Sequence, residues 1–451
     1  MLTVDLVLRN AKIFHDEKIV KAGIAVERGK IVKIAKDANL PSASIEIDCK
    51  EMLVIPGVID AHVHLRDQEL VYKEDFISGT SAAANGGVTS VLDMPNNKPV
   101  TMDVSSLCSR MSLAKNKIVV NVGFFSAFPS NLEEIPKIVF EGAMGFKLYM
   151  SEKIGGIDPS DNESLIAAFI EAEKMNVPVC LHAEDQSFLK SVHRKIEKNK
   201  EKSFESYLKM HSPDAEVMAV EKAVKIAQKT KAKIHFCHIS TAQSLRLIVA
   251  GKQSGLPVTC EVTPHHLLLS SVHLKDLGAF GLSNPPLRSE KDIHSLWNGV
   301  QAGEIDIFAS DHAPHSLDEK KKSEIWQVSP GIVGLETMLP LMLTQINKGV
   351  LSIRKLVRMT SKEPARIFAV NKRGKISEGY SADLVVVNLK KEWRIDSSKF
   401  YSKAKFSPYE GWKVKGKPMK TFVNGHLVMD DGEVFVSSSQ GQIIRRGTVP
   451  H

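Results

Sequence analysis

The stretch Asp60-Ala61-His62-Val63-His64-Leu65-Arg66-Asp67 sets two imidazoles two residues apart and a guanidinium two further on, directly after the apolar run "MLVIPGVI". In a strand, residues i and i+2 share a face, so His62 and His64 point the same way. Such a pair suits a divalent cation. Arg66 carries five donors and no acceptor, so it cannot ligate a metal, and its place beside the pair leaves open what a permanent cation does there. Further along come Lys147 in "GFKLYM", His182 in "LHAED", His238 in "CHIS" and Asp311 in "ASDHAPH". Four imidazoles, one carboxylate and one lysine suit zinc best, with manganese, iron or cobalt as weaker candidates. An ammonium offers no lone pair, but a neutral Lys147 that captures carbon dioxide becomes a carbamate whose two oxygens can bridge two cations. Its ordinary pKa of about 10.4 requires burial or a nearby metal to favour the amine first.

These residues need elements that bring them together. Apolar strand-like runs alternate with helical periodicity: "LVIPGVIDAHVHL", "VTSVLDMP", "IVVNVGFF", "AMGFKLYM", "PVCLHAE", "KIHFCHIS", "PVTCEVTP" and "DIFASDHAP". Segments such as "NESLIAAFIEAEKMN" and "DAEVMAVEKAVKIAQKTK" supply amphipathic helices between them. Eight such units predict an α/β fold, a (β/α)8 barrel over residues 56–370. The candidate ligands fall at or near the C-terminal ends of their strands, where barrel enzymes assemble their sites. Both chain ends read instead as short alternating strands broken by charged turns. Residues 1–55 and 371–451 are therefore expected to pair into one small β-sandwich domain, with "SSSQGQIIRRGTVPH" as a tail.

Composition narrows the class. The 451 residues are 43% hydrophobic and 25% charged, near soluble averages. No apolar run is long enough to span a membrane, and "MLTVDLVLRN" lacks the basic and apolar regions of a secretory signal, which predicts a cytoplasmic protein. Five scattered cysteines, without a Cys-x-x-Cys pair, read as reduced thiols. The net charge of +8 is spread over helical stretches interleaved with acids and reads as solvated surface; a small anionic substrate fits equally well, whereas a nucleic-acid groove needs a one-sign patch with stacking aromatics. Cys237 adjoins His238, and strand alternation points it to the opposite face, into core packing. His235, His265, His266 and His312 read as supporting or structural residues.

Taken in order, "DAHVHLRD", "GFKLYMS", "LHAED", "FCHIS", "NPPLRSEKD" and "ASDHAPHS" resemble the amidohydrolase superfamily and, within it, the dihydroorotases. Arg66, Asn96 in "DMPN", "NPPLR" and "ASDHAPH" carry the narrower likeness. The resemblance implies that His62, His64 and Asp311 hold the more buried of two divalent metals, most simply zinc. His182 and His238 hold the other, and carboxylated Lys147 bridges them. It further implies that Asp311 acts as general base and then general acid, that Arg66, Asn96 and His315 hold a substrate carboxylate, and that Asn284 contacts the ring. The implied reaction is reversible hydrolysis of L-dihydroorotate to N-carbamoyl-L-aspartate in pyrimidine synthesis. Self-association and association with aspartate transcarbamoylase are compatible with it. Two departures stand out: Asp67-Gln68-Glu69-Leu70 replaces the acid-Pro-Gly that follows "HLR" in many relatives, and the bridging position is Lys147 where some bacterial members have aspartate.

Two other readings remain open on the sequence. A different cyclic amide hydrolase, such as an allantoinase or hydantoinase, would leave Arg66 without its anion. A non-catalytic scaffold relative would have shed metal ligands.

Overall fold

The computed structural model describes residues 3–436 and 440–447. Near the N-terminus, strand Val4–His15 turns at Asp16 and Glu17, whose φ values of 46° and 61° suit the two-residue hairpin turns that match strand twist. Lys18–Glu27 returns antiparallel to it, and Lys30–Ala35 follows after a second tight turn at Arg28-Gly29. Leu53–Pro56 then joins Val4–His15 on one edge and Leu384–Arg394 on the other, so the two ends of the chain meet in one nine-stranded sheet. This sheet encloses its own core, built from Leu6, Leu8, Ile24, Val54, Leu384, Val386 and Phe422 among others, as a β-sandwich does.

The run "LVIPGVIDAHVHL" is two strands, not one. It breaks at Gly57, where an added Cβ would stand 2.1 Å from the Thr89 hydroxyl oxygen. The chain passes there from the terminal sheet into Val58–Val63, the first barrel strand. Seven further units follow: Val88–Asp93, Asn121–Phe124, Phe146–Tyr149, Val179–His182, Ile234–Phe236, Val258–Val262 and Ile307–Phe308. Neighbours pair in parallel, with Ser126–Ala127 linking the third to the fourth, and a bridge from Val63 to His312 closes the ring. Carboxylate and hydroxyl caps start the intervening helices, including Asp75 before Phe76–Asn85, Asp161 before Asn162–Lys174 and Asp185 before Gln186–Asn199.

Part of the expected tail is built into the barrel. Ile443–Ile444 pairs in parallel with Val122 and Gly123 of the third strand, and Ile444 packs with Ile59, Leu92, Met144, Cys180 and Ile307 inside the ring. Residues 437–439 and 448–451 of that segment lie outside the described residues.

Candidate active site

The strand geometry delivers His62 and His64 to the mouth on one face. Their Nε2 atoms each lie 3.3 Å from Asp311 Oδ1. Their Nδ1 atoms are occupied from behind: His62 Nδ1 is 2.5 Å from Glu261 Oε1 and His64 Nδ1 is 2.7 Å from Asn96 Oδ1. An acceptor on Nδ1 fixes the hydrogen there and turns the Nε2 lone pair toward the shared space, the arrangement a metal-holding imidazole needs. Burial and Lys147 press the His62 imidazolium down, but without a cation the carboxylates of Glu261 and Asp311 outweigh them and hold it up at about 10, so a metal must displace the Nε2 proton to reach that lone pair. His64, buried and with less compensation from Asp311, is pushed down to about 3. Burial would raise the Asp311 carboxyl, yet His62, His64 and His238 bring it well below the usual carboxylate range.

On the other side of the mouth, His182 Nδ1 faces His238 Nε2 at 3.0 Å. His182 Nε2 is held 2.8 Å from Glu184, whose second oxygen lies 2.9 Å from His211 Nδ1. Glu261 serves the whole centre: besides His62 it sits 3.0 Å from His235 Nε2 and accepts the backbone N–H of His238 at 3.1 Å. Burial opposes ionisation of both glutamates, but the imidazoles around them keep both well below the ordinary range. Sequence reasoning passed over Glu184 and Glu261. The signal was present: Glu184 lies two residues beyond His182, and Glu261 is the one charged residue in the strand "VTCEV".

Lys147 is fully buried, with Nζ 3.4 Å from His62 Nε2 and 3.0 Å from Cys237 Sγ. Cys237 packs in the core as expected, but not on the face opposite His238. His238 has φ 34°, which breaks strand alternation just after Ile234–Phe236, so the thiol and the imidazole both turn into the barrel. His62, Cys237 and Glu261 offer ligand atoms within 4.8 Å of one another, as do His62, His64 and Asp311. Burial presses the Lys147 ammonium down, but Cys237, Tyr149 and Glu261 hold it above its ordinary value. Burial alone therefore does not free the amine, and a nearby metal cation is what would favour it.

Arg66 approaches from a loop in which Arg66, Asp67 and Gln68 all have positive φ, 54°, 55° and 51°. Three successive left-handed residues are costly and need outside support. Asp67 accepts the backbone N–H groups of Gln68 and Phe76. The Gln68 amide oxygen receives Asn97 at 2.8 Å and Arg110 at 3.0 Å, and Arg110 is locked to buried Asp93 at 2.7 Å. The unusual sequence after Arg66 forms a short 3-10 turn, Gln68–Leu70. So held, Arg66 is buried and its Nε has no hydrogen-bond partner among the described residues. His315 is buried beside Glu319. Asn96 spends its amide oxygen on His64, leaving only its NH2 group for a ligand. Asn284 accepts the Tyr207 hydroxyl and lines a cleft of about 510 Å³ with Ser151, Glu184 and His211. The Tyr149 hydroxyl is buried without a partner among the described residues. His266 is held by Thr263 and the Pro285 carbonyl, and His312 by Glu74 and the Gly334 amide, as supporting residues.

The donor set fits divalent cations. Imidazole nitrogens and a carboxylate converge, with the rear nitrogens of His62, His64 and His182 already hydrogen-bonded, and two imidazole nitrogens face each other at 3.0 Å, a contact a shared cation relieves. Among the described residues no helix is long and apolar enough to cross a membrane.

Comparison with known proteins agrees with this geometry. A family model described as "Amidohydrolase family" matches residues 53–428. A dihydroorotase of Methanothermobacter thermautotrophicus is 38% identical over 433 residues, covering 95% of each chain. A dihydroorotase of Pyrococcus horikoshii is 37% identical, covering 99% of this chain and 97% of its own. Among solved structures, an L-hydantoinase from Arthrobacter aurescens superposes with a TM-score of 0.94 at 30% identity, covering 98% of this chain and all of its own. The barrel, the convergent imidazoles and a match running from strand Leu53–Pro56 through the whole barrel into the C-terminal strands lead to one conclusion: this chain belongs to the amidohydrolase family.

Proposed function

We infer that the chain is a dihydroorotase, catalysing the reversible hydrolysis of the cyclic amide of L-dihydroorotate to N-carbamoyl-L-aspartate. The observation that carries the substrate is Arg66: a buried guanidinium with an unpartnered Nε at the rim of a metal-type cluster requires an anion, and a carboxylate matches its paired donors. The hydantoinase likeness favours a second reading, a ring without a carboxylate, but that substrate would leave Arg66 buried and unpaired.

His62, His64 and Asp311 would hold one divalent cation and His182 and His238 a second, with carboxylated Lys147 between them and zinc the metal best suited to these donors. When bound, the cations supply Lewis-acid polarisation of the scissile carbonyl and a water of lowered pKa. The chain's own residues do the rest. Glu261, Glu184 and Asn96 hold three of the imidazoles in the tautomer and orientation that ligation needs. Asp311, ionised and directed at the shared space, takes a proton from the attacking water and returns it to the ring nitrogen as the C–N bond breaks. Arg66, His315 and the Asn96 NH2 group fix the carboxylate, and Asn284 meets the ring from the cleft wall.

The test is a substrate panel on zinc-reconstituted protein: L-dihydroorotate, N-carbamoyl-L-aspartate, allantoin, hydantoin and dihydrouracil, with metal content measured on the same sample. Turnover of the first two alone is expected. Turnover of a neutral ring in their place would overturn the substrate, and absence of bound metal after reconstitution would overturn the enzyme.

A further inference from the structure

The mechanism leaves the partly buried cation Lys73 unused. Lys73, in the loop between the first barrel strand and helix Phe76–Asn85, has a side chain only 11% exposed, and its Nζ lies 2.7 Å from Glu319 Oε1 and 3.3 Å from His315 Nδ1. An ammonium has donors only, so at this contact the imidazole nitrogen must be the acceptor. The competing contact, Glu319 Oε2 to the same nitrogen, is longer at 3.5 Å, and that oxygen already accepts the Ser316 backbone N–H at 3.0 Å. Glu319 is itself fixed, by a capping box with Ser316 and by the Tyr72 hydroxyl at 3.2 Å. With Nδ1 accepting, a neutral His315 carries its hydrogen on Nε2, which has no partner among the described residues. Burial keeps the ring neutral, with Arg66, Lys73 and Lys320 adding to the effect against Glu319, and its pKa falls to about 3. The opposite tautomer would present a lone pair to an incoming carboxylate and repel it.

We propose that Lys73, held by Glu319, is a positioning residue that occupies His315 Nδ1 and so makes Nε2–H a donor to the substrate carboxylate read by Arg66. This rests on the dihydroorotase reading. It assigns part of the substrate selectivity to a side chain in the loop that departs from the family pattern after Arg66.

The experiment compares wild type, Lys73→Met and Lys73→Arg as zinc-reconstituted full chains, with Lys73→Gln as a second neutral variant should methionine impair folding. Steady-state kinetics on L-dihydroorotate, metal content and long-range 1H–15N NMR of histidine-labelled protein are read on each. The neutral variants should raise KM about tenfold, the scale of one charge-assisted hydrogen bond, with kcat and metal content nearly unchanged. The signal assigned to His315 should lose its Nε2–H pattern, and Lys73→Arg should retain both KM and pattern. An unchanged KM with an unchanged tautomer would overturn the proposal, as would a fall in kcat and metal content at constant KM, which a merely structural role would give. A wild-type protein inactive on L-dihydroorotate would sink the dihydroorotase reading instead, and the NMR comparison would still decide the contact between Lys73 and His315.

Discussion

On the proposed reading, Arg66 is the residue on which substrate choice turns. Arg66→Met should lower kcat/KM for L-dihydroorotate by about 3 to 5 kcal/mol, roughly 150- to 4,000-fold, with metal content intact. Steady-state kinetics beside metal analysis checks this, and a variant that keeps full activity would remove the anion argument. Lys147 answers to a different measurement. Lys147→Ala should lose metal and activity together, and a short carboxylic acid added back should restore part of both, because it can supply the two bridging oxygens. Glu261 touches no substrate in this scheme, yet it holds His62 Nδ1, His235 Nε2 and the His238 backbone. Glu261→Gln should therefore weaken metal affinity about 10- to 100-fold, read by titration against a competing chelator.

At the scale of elements, the short helix Leu317–Lys320 carries a buried cation as well as Glu319. Lys320 donates to the Ala279 carbonyl at 3.2 Å and lies over the Phe406 ring, and burial pushes its pKa down to about 7. A lysine with a lowered folded-state pKa favours the fold while it is neutral. Its contribution is present above the ordinary value of 10.5 and is lost as pH falls toward about 7. Lys320→Met should flatten stability over that window and raise it near pH 7 by roughly 2 kcal/mol, since it removes a charge buried without a counter-ion in contact. Denaturant melts of both proteins at pH 7 and pH 10 decide the matter, and a wild-type curve equally flat across the window would rule it out. The segment after Ile234–Phe236 teaches a related lesson: one residue at φ 34° undid the alternation from which the facing of Cys237 was read, while the thiol stays buried in the core as expected.

For the whole molecule, a site assembled from five barrel strands and their loops is a constraint on the fold. A cation that binds only the folded chain stabilises it in proportion to the logarithm of its concentration over Kd, about 2.7 kcal/mol at a hundredfold excess. Chelation should lower the thermal midpoint and readdition of zinc should restore it, as calorimetry would show; an unchanged midpoint would mean that the imidazoles do not hold metal. The C-terminal strand Ile443–Ile444 adds a second constraint from the opposite end of the chain, since Ile444 lies inside the ring with Ile59 and Ile307.

The sequence by itself determined the barrel, the order of its strands and the placing of His62, His64, Lys147, His182, His238 and Asp311 at its mouth. These follow from local rules: two-residue alternation, apolar runs bounded by helices, and the chemistry of each side-chain type. Tertiary structure decided which groups stand behind the candidate ligands. Glu261 meets His62 across 199 residues, Asn96 meets His64 from the next strand, and Cys237 meets Lys147 across 90. It also turned an apparent tail into a barrel strand. No periodicity encodes such contacts, because they depend on how separate strands are brought side by side and on single backbone angles that break the local pattern.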